Sequence, residues 1–174
     1  AVLHSPYQGA LVEQARIDGL FNKPQRFWLK LNSGMNRLGM GALTCLQLYK
    51  ELRAITDVDV VFMSHLAWAD ELENPDSKAF TDLQLDAFAA ARRAIVKKSE
   101  EDLPCSMAAS AGILAVPAAH YQYIRPGIML YGSSPLASQT GEEIGLHPAM
   151  TLSSRLIAIN ELDVGDSVGY GASY

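Results

Sequence analysis

Short apolar runs alternate with stretches in which apolar residues return at helical spacing, and the alternation continues from Val2 to Gly132. Apolar runs of strand length suit strands buried on both faces, and helices between them are what connect neighbouring parallel strands. The first run is Val2 to Ser5. Pro6 stands where a helix can begin, because its fixed φ and missing N–H cost nothing in a first turn. Ala10, Leu11, Ala15 and Ile17 follow at roughly helical spacing, and Gly19 ends the segment. A second run, Phe27 to Leu31, precedes a helix over Gly41 to Ile55 whose apolar side is expected to carry Leu43, Leu46, Leu48 and Leu52. Val58 to His65 reads as the third strand. Ser77 to about Lys98 reads as a long helix with a lysine-rich end suited to a helix C-terminus. Cys105 to Ser110 is a fourth strand of small residues, with Ser110 placed to cap a short helix over Ala111 to Ala115 ahead of Pro117. Tyr123 to Tyr131 is the fifth.

Beyond Gly132 the alternation ceases. A loop rich in Ser, Gly and Pro leads to two strand-like runs, Met150 to Glu161 and Ser167 to Tyr174. The shift puts a domain boundary near residue 133, with residues 1–133 as one domain and 134–174 as a linker and the start of an all-β domain. Periodicity therefore predicts an α/β chain of five consecutive strand-helix units from a parallel barrel or open sheet. It names no chemistry.

Composition narrows the partners. The chain has 174 residues, against about 250 for a whole eight-fold barrel. Its net charge is -5, and Lys and Arg are spread along the chain. Neither nucleic acid nor an anionic membrane surface is an expected partner. No stretch approaches the ~20 continuous apolar residues of a membrane span, and no basic, apolar leader opens the chain; the expected location is cytoplasmic. Cys45 and Cys105 fit no metal spacing and read as two buried thiols in a reducing compartment. The chain opens without Met in what reads as a strand and stops at Tyr174 without a terminal helix, so a piece of a longer protein is expected.

Chemistry enters through five blocks. Lys30-Leu31-Asn32-Ser33-Gly34-Met35-Asn36-Arg37-Leu38-Gly39 resembles the alanine racemase motif in which a lysine at a barrel strand end precedes a Gly-Met-x-Arg-x-Gly turn. Ser64-His65, Ser106 to Ala111, Tyr123 to Gly132 and Val168 to Tyr174 are similar to further blocks of that family, in the same order. The resemblance covers essentially the whole chain. It implies the fourth to eighth strands of a TIM-type (β/α)8 barrel followed by the start of a C-terminal β-domain. It also implies pyridoxal 5'-phosphate as cofactor, with the imine-forming lysine upstream of Ala1.

The same resemblance assigns roles. The family interconverts L-alanine and D-alanine by exchanging the α-proton between two bases, supplying D-alanine for peptidoglycan in the bacterial cytoplasm. One base is the absent lysine; the other corresponds to Tyr170. A phenol titrates near about pH 10, so that role needs a stabilised phenolate. Arg125 corresponds to the arginine that faces the cofactor's pyridine nitrogen, and His65 to the histidine that orients it. Ser110, Gly127 and Ile128 match the phosphate-holding positions. Arg37 would lie near the substrate carboxylate, and Lys30 is the position the family often carbamylates. A head-to-tail homodimer is implied, with Tyr170 serving the partner's site.

Two positions depart from the pattern. Ala109 stands where the family motif has Asn, removing a polar side chain beside the cofactor, and Asn32 stands where Asp is common. Three other readings stand beside the leading one. A broad-specificity or serine racemase of the same fold would differ in pocket residues outside this chain. A non-catalytic pyridoxal phosphate-holding barrel protein would lack the segment after residue 133 with its Tyr170. An inactive truncated chain would leave a barrel with two open edges and exposed apolar faces.

Overall fold

A computed structural model describes residues 1–99 and 103–172. Strand β1 (Val2–Leu3) lies beside β2 (Gln25–Lys30), β2 beside β3 (Val58–Met63), β3 beside β4 (Cys105–Ala109) and β4 beside β5 (Tyr123–Arg125), and every pair is parallel. Spatial order equals chain order. Parallel neighbours need crossover connections, and α1 (Tyr7–Ile17), α2 (Ala42–Arg53), α3 (Pro75–Ser99) and α4 (Ser110–Ala115) supply them. Right-handed crossovers that always step in the same direction put the helices on one side of the sheet, as in a barrel wall.

The pleat then sorts the side chains. Leu29, Phe62, Cys105 and Met107 are fully buried toward the helices. Phe62 stacks on Phe88 of α3 with ring centroids 4.9 Å apart, and Phe88 meets Tyr121 at 5.3 Å. Trp28, Lys30, Val61, Met63, Ser106, Tyr123 and Arg125 alternate with that set and share the opposite face. There Trp28 and Tyr123 meet with centroids 5.2 Å apart. Between Ser106 and Ala109 the β4–β5 register slips by one residue, so Ala109 lies across from Arg125. The face away from the helices thus carries charged residues at both ends, Arg26 paired with Asp59 at the N-terminal strand ends and Lys30 and Arg125 at the C-terminal ends.

Several expected boundaries and faces are corrected. β1 ends at Leu3 and β3 at Met63, which leaves Ser64 and His65 past the strand end. β5 stops at Arg125, and Ile128–Tyr131 is a 3-10 turn in place of a continued strand; Pro126 has no N–H to offer the ladder. No fifth α-helix follows among the described residues. In α1 Val12 is buried, whereas Leu11 and Ile17 are exposed. In α2 the inner face is Cys45, Leu48, Tyr49 and Leu52, and Leu43 is 83% exposed, because two residues turn a helix by about 200°. Ser110 is the first residue of α4 and makes no capping bond; Ala109 occupies the cap.

The runs Met150 to Glu161 and Ser167 to Tyr174 form no strand among the described residues. Residues 149–172 are exposed throughout. A strand needs a ladder partner, and no described segment lies beside them; residues 173 and 174 fall outside the described residues. Cys45 and Cys105 are both fully buried. Among the described residues no helix is long and apolar enough to cross a membrane.

Candidate active site

The C-terminal ends of β2 to β5 bring Lys30, Ser64, His65, Ser106, Ser110 and Arg125 together. Lys30 closes β2 and is 8% exposed. Burial, with Arg125 and then Arg37 adding repulsion, holds its ammonium below the ordinary lysine range. The chain then makes a closed loop. Met40 N–H donates to the Lys30 carbonyl at 3.0 Å and Asn32 N–H to that of Met40 at 2.9 Å. Inside the loop the Asn32 amide oxygen accepts from Gly34 and Asn36 N–H, both at 3.1 Å, and its NH2 donates to Asn36 Oδ1 at 2.9 Å. An aspartate could make the first two bonds and not the third, which gives the Asn at this position a local reason. Gly39 has φ +117, and a Cβ there would sit 2.7 Å from the Asn32 nitrogen, so only glycine lets the loop close. Arg37 projects from it into solvent.

Arg125 is the most constrained group. Its guanidinium donates to the Ser106 hydroxyl, to the Ser64 carbonyl at 2.6 Å, and to the Met107 carbonyl and His65 Nδ1, each at 3.4 Å. Burial lowers its pKa from the usual value, yet a guanidinium keeps its proton in proteins. The fork is therefore a fixed positive charge with few alternative poses.

His65 is held neutral. Burial, then Arg125, Lys30 and Arg37, push its pKa down to about 4. A neutral ring can accept from Arg125 through Nδ1, which leaves the proton on Nε2. Its folded pKa lies below the unfolded value of about 6.5. This contribution to stability is therefore complete above about pH 6.5 and is lost as pH falls toward 4. An NMR titration of the ring is expected to hold the neutral form through pH 5.5; a midpoint near 6.5 would show that the surrounding charges do not reach it.

At the β4 end, the buried Ser110 hydroxyl oxygen accepts from the N–H of Gly127 at 2.8 Å and of Met129 at 3.4 Å. The Ile128 side chain is half exposed beside them. Two backbone donors thus converge on one oxygen at the rim. Among the described residues none of Lys30, Arg37 and Arg125 makes an ion pair. A mouth with three cations, a neutral imidazole and convergent amides suits a ligand carrying several negative charges. Tyr170 lies elsewhere, fully exposed in the 3-10 segment Tyr170–Ala172, and does not join the cluster.

Sequence reasoning passed over Ser64 and Ser106 as holders of Arg125, and Gln84 entirely. A signal for Gln84 was present. Ser77, Thr81, Gln84, Phe88, Ala91 and Ile95 form the buried stripe of α3, and polar residues at core positions of an amphipathic helix need partners.

A family profile described as "Alanine racemase, N-terminal domain" matches residues 1–135. The chain is 42% identical over 177 residues to an alanine racemase of Thioalkalivibrio sulfidiphilus and 44% identical over 174 residues to one of Nitrosospira multiformis. Each match covers 99% of this chain and 45% of the relative, so the chain spans about half the length of these relatives. Among solved structures, the biosynthetic alanine racemase from Pseudomonas aeruginosa superposes with a TM-score of 0.73 at 38% identity, covering 99% of this chain and 45% of that one. The alanine racemase of a D-cycloserine-producing Streptomyces lavendulae superposes at 0.79 with 29% identity over the same shares. With the profile spanning most of the chain and relatives this similar along nearly all of it, the chain belongs to the alanine racemase family.

Proposed function

We propose that the protein of which this chain is part is a pyridoxal 5'-phosphate-dependent alanine racemase. It would exchange the α-proton of L- and D-alanine and supply D-alanine for peptidoglycan in a bacterial cytoplasm. In this reading residues 1–133 are the fourth to eighth units of a (β/α)8 barrel, and residues 134–174 lead into a β-domain. The observation that carries it is Arg125, a permanent cation held by four acceptors at the barrel mouth without an acidic partner among the described residues.

The residues present fit the cofactor. The Ser110 hydroxyl oxygen accepts from the Gly127 and Met129 amides at this rim, which leaves its own proton to donate to an anionic oxygen. Ser110, Gly127 and Ile128 would hold the phosphate. Bound pyridoxal phosphate supplies an electron sink that acidifies the α-hydrogen of an attached amino acid. Arg125 would donate to the ring nitrogen without giving up its proton. That keeps the nitrogen unprotonated, weakens the sink and limits side reactions. His65 orients Arg125. Arg37 would receive the substrate carboxylate. Lys30, whose pKa is lowered by burial and its cationic neighbours, would be the carbamylated residue, and as an anion it would pair with Arg37.

Tyr170 would act as the base on one face of the substrate, delivered to the mouth of a partner subunit in a homodimer. The second base would be a lysine outside this chain. Ala109, opposite Arg125 in the ladder, offers no polar atom where the family has one. The 174-residue chain by itself is expected to be inactive.

The test uses the full-length protein. It should interconvert L- and D-alanine, followed by chiral chromatography, and carry a visible absorbance band. Removal of the cofactor with a carbonyl scavenger should abolish both, and added pyridoxal phosphate should restore both. Racemisation that survives removal would overturn the proposal.

A further inference from the structure

Gln84 lies on α3, in the outer layer, with 1% of its surface exposed. Its Oε1 accepts from the Ala67 N–H at 2.8 Å. Its Nε2 donates to the His65 carbonyl at 3.1 Å and to the Ser33 hydroxyl at 3.3 Å. Ser33 belongs to the loop that follows β2 and presents Arg37, whereas His65 and Ala67 follow β3. One buried carboxamide therefore spans both segments.

The hydroxyls beyond it form an ordered chain. Ser33 Oγ lies 2.7 Å from Ser64 Oγ, and Ser64 Oγ donates to the Leu31 carbonyl at 2.9 Å. Each hydroxyl has a single proton. A carbonyl only accepts, so Ser64 gives its proton to Leu31, Ser33 gives its own to Ser64, and Ser33 must receive from Gln84. The Leu31 carbonyl sets the direction at one end, and the Gln84 N–H supplies the Ser33 oxygen with its donor at the other. The far end of the chain reaches Arg125, because the Ser64 carbonyl and the His65 ring are two of its acceptors.

We propose that Gln84 is a positioning residue for the racemase reaction, its carboxamide fixing the ends of β2 and β3 so that Ser64 and His65 hold the Arg125 guanidinium in one pose. The inference rests on the function proposed above. Gln84 touches no reacting atom and acts through Ser64 and His65. Glutamate at the same volume turns an acceptor toward the His65 carbonyl and Ser33, and methionine leaves both without a donor. Buried groups stripped of a partner shift to find another.

The experiment compares Gln84→Glu, Gln84→Met, Ser33→Ala, Thr81→Val and Arg125→Lys in the full-length protein. Thr81 is the control for helix docking. It is equally buried on the same face of α3 and donates to the Trp68 carbonyl at 3.0 Å, away from the cluster. Both Gln84 variants are expected to lower kcat about 10- to 100-fold, the usual cost of losing an orienting partner, with KM little changed. The visible circular dichroism band of the bound cofactor should change shape. In the cofactor-free protein, the His65 ring, which faces Arg125, Lys30 and Arg37, should titrate at higher pH as Arg125 moves off. Ser33→Ala should shift all three readouts in the same direction and by less, which tests the relay even if the Gln84 variants do not fold. Thr81→Val should leave the dichroism and the His65 titration unchanged. Unaltered dichroism and His65 titration in Gln84→Met or Ser33→Ala, or an equal change in Thr81→Val, would overturn the role of Gln84. Arg125→Lys separates the two levels: if it too leaves kcat and dichroism untouched, the reading of the site itself fails, and if it alone disturbs them, only the Gln84 inference does.

Discussion

Replacing Arg125 with leucine in the full-length protein is expected to lower kcat/KM for alanine racemisation by about a hundred- to a thousandfold, the scale for losing a preorganised donor at a reacting centre. The guanidinium is the shared donor of the Ser106 hydroxyl and the Ser64 and Met107 carbonyls. Its loss leaves acceptors buried without it, at about 1–3 kcal/mol for each group that water does not reach. Stability should therefore fall alongside activity. A second consequence follows from sign. Arg125 lowers the pKa of both Lys30 and His65, so both should rise when the charge is removed. Arg125→Lys keeps the charge and loses the fork; it should restore part of the depression at His65 and little of the catalysis. Full activity in the leucine variant would remove the role given to this residue.

Tyr170→Phe is expected to reduce kcat by about 10²- to 10⁴-fold, the range for removing a positioned base, while cofactor binding persists. The loss should be lopsided. One enantiomer should still exchange its α-hydrogen with solvent through the remaining base, although conversion to the other enantiomer stops. In this structure Tyr170 is exposed and apart from the cluster, so the proposed role requires a second subunit to bring it there. Mixing Tyr170→Phe subunits with Arg125→Leu subunits should then restore activity, because a mixed dimer holds one site with both residues intact. A mixture no more active than its parts would argue against composite sites.

The strands and helices of residues 1–132 were legible because burial on both faces writes itself as apolar runs and burial on one face as helical period. The errors came where tertiary context decides. Leucines at 11 and 43 match an apolar stripe in type and miss it in angle, since Val12 and Cys45 lie on the true inner faces. Tyr123 to Tyr131 is apolar enough for a strand, but Pro126 ends the ladder. Met150 to Glu161 has strand composition and, among the described residues, no partner to pair with. Within the site, Lys30, Arg37, His65, Ser110 and Arg125 could be singled out from motif blocks, and the structure gathers them at one barrel end. Ser106, Ser64 and Gln84 could not, since a serine or glutamine gains meaning only from the partner it meets, and those partners lie 19, 61 and 51 residues away.

The most direct test is a crystal structure of the full-length protein with pyridoxal phosphate bound. The account predicts the Arg125 guanidinium within about 3 Å of the ring nitrogen, the phosphate on Ser110 and the Gly127 and Ile128 amides, and Tyr170 of the partner subunit on the open face of the ring. A cofactor seated elsewhere, or an Arg125 turned away from the ring with Tyr170 out of reach from either subunit, would contradict it.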